Sequence, residues 1–301
     1  MENQKQEMTG NLDTTLLSNL LRVGDSVESV AAKIGDLSGL KTGFTALDDV
    51  TIGLQSGELT IIGGRSSMGK SSLAIDIMLN VGKTDTVVYF SLEMSTKVVI
   101  ERMLANLSQI SLMKLKREPL NSGEQTKFNK AIKDLSQYKI LIDDSTLQTP
   151  TRIYQKLVEL KKNHDVKLFV IDFLQLMSIA NSTENTVQAI DEMVRQIRAT
   201  AKNLNIPVIG VSQLNRKPED RQGHEPRLSD LRASGGLEQV ADVVLLLHRP
   251  SYYAMREIAV ESEDNGEAYL LIAKNRNGPT GKIPLVWLGD ILSFRSPNWT
   301  F

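Results

Sequence analysis

The sequence predicts an α/β protein built on a mostly parallel central sheet with helices on its faces. Three observations carry that expectation. Apolar, β-branched runs alternate with helical periodicity along the chain. The run Leu168-Phe169-Val170-Ile171-Asp172 is apolar without a break up to a closing carboxylate, as a strand covered on both faces requires. Successive strands also end in polar residues, the pattern of a sheet that presents ligand groups at its carboxyl ends.

Taken in order, residues 1–11 are polar and are expected to be disordered. From Leu12 to Ile34 apolar residues recur at roughly helical spacing, broken near Gly24-Asp25. This helical arm, residues 12–40, either packs on its own domain or docks on a neighbouring subunit. Gly35 to Gly57 reads as loop. Leu59 to Gly64 is the first strand, and the helix after it runs from about Ser71 to Val81. Thr86 to Ser91 is the next strand, with Ser95 placed to cap the following helix. Helical pattern fills 97–137 with an interruption at Glu118-Pro119. Ile140 to Asp143 is a short strand, and Thr149-Pro150 makes a cap-plus-first-turn start for a helix to about His164. After the strand ending in Asp172, a long amphipathic helix covers about Val187 to Leu204. Strands follow at Ile206–Ser212, Asp242–Leu247 and Ala268–Lys274, and Gly278-Pro279-Thr280-Gly281 turns the chain into a last hairpin through Trp287.

The stretch Leu59 to Ala74 organises the chain. Gly64, Gly69, Lys70 and Ser71 fit the phosphate-loop pattern G-x-x-x-x-G-K-[ST] without a gap, between a strand and a helix. The two glycines let the backbone of Arg65, Ser66, Ser67 and Met68 fold into a nest of N–H groups, and the helix N-terminus adds positive field. Lys70 brings a point charge to the β- and γ-phosphates, and Ser71, followed by Ser72, can join a Mg²⁺ shell. A nucleoside triphosphate and Mg²⁺ are therefore the expected ligands.

Composition excludes several classes. The 301 residues carry 35 Lys and Arg against 36 Asp and Glu, so nucleic-acid contact must come from a local patch. Cysteine is absent, which removes disulfides, zinc ribbons and thiol chemistry and fits a cytoplasmic protein. No apolar run reaches the length of about 18 residues that a membrane span needs, and the polar amino terminus is not a secretory signal.

Asp172 closes a buried strand, where a carboxylate can hold Mg²⁺ while Ser71 holds it directly. Glu93 lies just past the neighbouring strand and is either a surface carboxylate or the group that orients the attacking water. Gln213 ends a later strand and could sense the γ-phosphate. Lys274 and Arg276 precede a sharp turn: either an exposed basic turn, or cations presented to a neighbouring active site. The small-residue run after Arg232, namely Ala233, Ser234 and Gly235, would let backbone N–H groups approach a sugar-phosphate chain.

The ordered set of motifs is similar to the DnaB-type replicative DNA helicases. It comprises Gly64 to Ser71, Ser91-Leu92-Glu93-Met94, Ile171 to Met177, Val211 to Arg216, Ser229 to Gly235, Leu246 to Tyr253 and Lys274 to Gly281. The resemblance covers about residue 25 onward. It implies a RecA-like ATPase motor over residues 41–301 with a C-terminal β-hairpin, assembled as a homo-oligomeric, hexameric ring around single-stranded DNA. It also implies primase and a helicase loader as partners. By resemblance Glu93 is the catalytic glutamate, Asp172 the metal-side aspartate and Gln213 the γ-phosphate sensor. Lys274 and Arg276 match the pair that reaches the adjacent subunit, and Arg232 to Gly235 match the DNA-backbone loop. The arm matches the linker helix that packs on the next subunit.

Two departures stand out. Only some forty residues precede the motor, so the family's amino-terminal collar domain has no counterpart in this stretch; a truncated or a naturally short form would both fit. Ala233 stands where the family usually has an acidic residue. Other readings are a recombinase-type or RadA-type ATPase, or a subunit that modulates a full-length helicase.

Overall fold

In the computed structural model, the described residues are 39–146, 148–177, 186–231, 235–257 and 264–297. The tail, nearly all of the arm, and Arg232, Ala233 and Ser234 lie outside them. The strands are β1 (Leu59–Gly64), β2 (Thr86–Ser91), β3 (Ile140–Asp143), β4 (Val166–Asp172), β5 (Val208–Gln213), β6 (Val243–His248), β7 (Glu267–Asn275), β8 (Gly281–Leu288) and β9 (Ser293–Arg295). They form one sheet in the order β3-β2-β4-β5-β1-β6-β7-β8-β9. The first six in that order are parallel, and β7 to β9 extend the sheet antiparallel. The expected mostly parallel sheet and its terminal hairpin are both present.

Every residue of β1, β2 and β6 is buried, which is why these strands read as continuous apolar runs rather than alternating ones. Their side chains divide between two cores. Ile62, Tyr89, Val170 and Leu245 face helices α2 (Lys70–Gly82) and α3 (Thr96–Ser108), through Leu73, Ile77, Val99 and Met103. Ile61, Phe90, Ile171 and Leu246 face α6 (Pro150–Asn163) and α7 (Thr186–Leu204), through Ile153, Leu157, Val194 and Ile197. Between α3 and α6, the predicted helical stretch resolves into α4 (Leu112–Arg117) and α5 (Ser122–Leu135), with the break at Pro119. The short helices α8 (Gly235–Val240) and α9 (Pro250–Glu257) flank β6.

The caps follow local chemistry. The Thr149 hydroxyl accepts from the Arg152 N–H, with Pro150 in the first turn, as expected. Ser95 does occupy the cap position of α3, but its hydroxyl makes no cap bond; the Asp144 carboxylate takes the Thr96 N–H instead, at 2.8 Å. Two elements depart from the sequence reading. The loop-rich segment before β1 contains α1 (Thr45–Thr51), whose start is closed by the Asp48 carboxylate on the Thr42 and Gly43 N–H groups. Seven residues with one buried side chain, Leu47, leave too little periodicity to read. The three-residue β9 adds an edge beyond the hairpin.

β9 is held from below. The buried Asp76 carboxylate on α2 accepts the Phe294 N–H at 2.7 Å, the Ser293 hydroxyl at 2.8 Å and the Asn106 amide at 2.5 Å. Burial pushes the Asp76 pKa up to about 6, against the opposing pull of Arg295 and these donors. At the far end of β6, the His248 ring is 4% exposed and its Nδ1 has no partner among the described residues. Burial pushes its pKa down to about 4, with Glu225 pulling the other way.

A histidine whose folded pKa lies below its unfolded value adds stability above the unfolded value, near 6.5, and loses it as pH falls towards 4. Thermal melts across about pH 7 to 4 should therefore show a steeper fall in Tm for the parent than for His248→Gln. Parallel curves would mean that His248 is not the group that titrates.

Candidate nucleotide-binding site

The phosphate loop leaves the carboxyl end of β1, the centre of the parallel part of the sheet. Gly69 has φ 97°, a conformation that favours glycine, and a Cβ there would stand 2.8 Å from the Phe294 ring and 3.1 Å from Trp287. At Gly64 a Cβ would meet the Lys70 side chain at 3.1 Å. The Gly69 end of the loop is thus closed to a side chain, while at Gly64 one would fit only if Lys70 shifted slightly. The Lys70 ammonium curls back to donate to the Arg65 carbonyl at 3.0 Å. Burial lowers its pKa, and Asp172 and Glu93 pull it back up.

Parallel register brings the other expected groups to the same edge. Gly64 pairs with Gln213, and Ser91 pairs with Asp172, so the ends of β2, β4, β5 and β1 form one row. The cavity above them, about 370 Å³, is lined by Ser66, Ser67, Gly69, Lys70, Ser71 and Ser72 together with Glu93, Asp172 and Gln213. Glu93 is exposed in a turn fixed by the Ser91 hydroxyl on the Met94 carbonyl at 2.6 Å. Asp172 is 1% exposed. Its Oδ2 accepts the Tyr89 hydroxyl at 2.5 Å, while its buried Oδ1 has no partner among the described residues. A buried carboxylate oxygen without a donor, in a cavity that Ser71 also lines, suits a divalent cation. The same carboxylate and burial push the Tyr89 pKa well up.

Two loop residues direct their side chains elsewhere. Met68 is buried in the core beside α2. Arg65 donates through Nε and Nη2 to the Glu219 carboxylate at 2.9 and 2.6 Å and through Nη1 to the Leu214 carbonyl at 2.7 Å. Both can offer only backbone to an anion in the cavity.

Lys274 and Arg276 do not reach this cavity. In β7, Lys274 pairs with Val244, whereas the loop leaves β1 at its opposite end, where Gly63 pairs with Leu246. The Arg276 N–H donates to the Asp242 carbonyl, and the Asp242 N–H to the Leu59 carbonyl at the start of β1. Arg276 therefore stands at the start of β1, roughly 17 Å from the loop at the usual rise per residue, whereas Lys274 is level with Ile61 and its ammonium turns to the Glu238 and Gln239 carbonyls of α8. Of the predicted DNA loop only Gly235 is described, as the first residue of α8.

Several groups that line the cavity or brace its lining residues went unanticipated. Arg102 of α3 reaches the cavity with its Nε buried and unpartnered among the described residues; nothing in the sequence separates it from any helix arginine. Gln175 holds the turn after β5, donating to the Ser212 hydroxyl at 2.9 Å and the Gln213 carbonyl at 3.2 Å. Trp287 and Leu292 form an apolar wall. Arg249, 5% exposed, stacks 4.5 Å from the Trp287 ring, binds Asp264 at 2.5 Å and touches the Ser67 carbonyl at 3.4 Å. Burial lowers its pKa, and Asp264 counters.

A phosphate loop on a central parallel strand, with carboxylates at the same ends of β2 and β4 in the same sheet, defines a RecA-like P-loop domain. The model of the DnaB-like helicase C-terminal domain matches residues 39–296, and the chain belongs to that family. It is 38% identical over 270 residues to the replicative DNA helicase DnaB of Leifsonia xyli subsp. xyli, covering 88% of this chain and 57% of that one. To DnaB of Geobacillus stearothermophilus it is 37% identical over 278 residues, covering 91% and 60%. The chain thus spans under two thirds of the length of these relatives. Among solved structures, a separately solved ATPase domain superposes with a TM-score of 0.83 at 32% identity, covering 95% of this chain and 99% of that one. A DnaB-like replicative helicase, solved in a study of its interactions with primase, gives the same score and identity over 95% and 67%.

Removing the Tyr89 hydroxyl, the donor to Asp172 among the described residues, tests the dry carboxylate. Tyr89→Phe should cost about 1–3 kcal/mol in urea unfolding, the penalty of an unsatisfied buried acceptor. An unchanged midpoint would mean that Asp172 is hydrated.

Proposed function

We propose that the chain is an ATP-driven motor that moves along single-stranded DNA as a hexameric ring and acts as the motor part of a replicative DNA helicase. The observation that carries this reading is that Arg276 stands at the start of β1, the end away from its own phosphate loop, with the Lys274 ammonium turned to the α8 carbonyls beside it. Two cations on a rigid hairpin, facing away from their own cavity, suit the γ-phosphate held by the next subunit. Family membership and the relatives' printed names support the same reading.

In this mechanism the loop N–H groups and Lys70 hold the β- and γ-phosphates of ATP. Ser71 and Asp172 would hold Mg²⁺, which supplies charge neutralisation at those phosphates. Glu93, exposed at the cavity mouth, orients the attacking water and takes its proton. Arg276 and Lys274 of the next subunit stabilise charge on the transferring group. Gln213, its backbone held by Gln175, senses loss of the γ-phosphate and passes it to the loop from Leu214 onward. The backbone of Arg232 to Gly235 grips the DNA sugar-phosphate chain, and the arm docks on the adjacent subunit. Primase and a loader would be partners of the whole helicase in the cytoplasm.

The test is ATP turnover with and without oligo-dT, alongside mass in solution. A hexamer with DNA-stimulated turnover is expected; a nucleotide-binding monomer with no DNA response would overturn the reading. Lys70→Ala should lower kcat by about 10²-fold or more, and Arg276→Ala by about 10³-fold. Mixing the two dead proteins should restore turnover, because one supplies an intact loop and the other an intact pair of cations. No recovery on mixing, with rings shown to exchange subunits, would place Arg276 in its own site.

A further inference from the structure

Asp242 lies between α8 and β6, 2% exposed, at the opposite end of the sheet from the phosphate loop. Its carboxylate accepts the Leu59 N–H at 2.9 Å, which fixes it to the start of β1. Arg198 of α7 grips it with two bonds, Nε to Oδ2 at 3.0 Å and Nη2 to Oδ1 at 2.9 Å. Arg276 reaches the same Oδ1 at 3.3 Å and remains 43% exposed. Arg276 also donates to the Gln239 carbonyl at 2.8 Å, and Lys274 to the Glu238 carbonyl at 2.7 Å, both at the C-terminal end of α8.

Charge decides what such a cluster can do. A lone carboxylate paired with Arg276 would orient it and cancel its charge together. Here Arg198 already satisfies Asp242 in fork geometry. With Glu58, Glu238 and Lys274 included, three carboxylates face Arg198, Lys274 and Arg276, so the cluster is balanced as a whole, and the two-bond grip of Arg198 on Asp242 leaves Arg276 with a single 3.3 Å contact to that carboxylate. The α8 carbonyls orient both cations through partial charges alone.

We propose that Asp242, neutralised by Arg198, is a positioning residue for Arg276: it fixes the guanidinium at the subunit edge and leaves its charge available to a nucleotide phosphate on the next subunit. This rests on the reading of Arg276 as a cation acting between subunits. Pre-orientation of this kind acts on kcat, because Asp242 touches neither the nucleotide of its own subunit nor the cavity that binds it.

The experiment is a double-mutant cycle on ATP turnover in the assembled ring with oligo-dT. Asp242→Asn should lower kcat by about tenfold with KM for ATP unchanged. In an Arg276→Ala background the same change should add nothing, since its effect passes through Arg276. Arg198→Gln, at a partly exposed surface site, should give the same kcat loss by releasing Asp242 to cancel Arg276, and Arg198→Lys should restore part of it. If Asp242→Asn does not fold, the Arg198 variants carry the same cycle. Parental kcat in Asp242→Asn or in Arg198→Gln, or a loss that multiplies with that of Arg276→Ala, overturns the positioning role alone. Parental kcat in Arg276→Ala overturns the intersubunit reading and this role together.

Discussion

Backbone N–H groups can face an anion only where no side chain stands in front of them, and the turn at Gly69 is where this chain meets that condition. The left-handed backbone there is wedged against Phe294 and Trp287, so the space a Cβ would take is already filled by the last strands of the sheet. The loop is therefore shaped from two directions. β1 brings it to the edge of the core, and the antiparallel extension closes over its far side. Asp76 locks the arrangement by tying α2 to β9 through the Ser293 hydroxyl and the Phe294 N–H, with Asn106 of α3 as a third donor. A phosphate-binding loop that looks like a local motif is thus fixed by residues more than two hundred positions away in sequence.

The parallel sheet then divides the chemistry by direction. Every strand in its parallel part runs the same way, so Gly64, Glu93, Asp172 and Gln213 gather at one edge and Asp242 at the other. β7 runs back against β6 and carries Lys274 and Arg276 to that second edge. A single chain with this topology separates the groups that line its phosphate-loop cavity from the Arg276 guanidinium and the Lys274 ammonium. Burial sets the electrostatics at each edge: Lys70 and Arg249 lose basicity near the loop, and Asp172 keeps one oxygen without a donor among the described residues.

Much of this was legible in the sequence because it is written in local patterns. The loop residues, the fully buried strands and the polar residue at each strand end are consecutive in the chain, so the row Gly64, Glu93, Asp172 and Gln213 could be named before its register was known. What escaped reading depends on contacts distant in sequence. α1 buries a single leucine and leaves no period to detect. The cap of α3 comes from Asp144, on the connection after β3, rather than from Ser95. Arg102 and Arg249 are ordinary arginines until helix packing and the strand order bring them to the cavity. Met68 and Arg65 show the converse: they sit inside the motif, yet packing and Glu219 draw their side chains away.

The tie between Asp76 and β9 also bears on the order of events during synthesis. α2 is translated before β9, so its carboxylate has no partners from Ser293 and Phe294 until those residues leave the ribosome. Until then Asp76 must stay hydrated or protonated, and the turn at Gly69 lacks the rings that wedge it. A nascent chain can thus build most of its sheet while the cavity beside Gly69 stays unformed, and the turn is wedged into place only once β9 has been made.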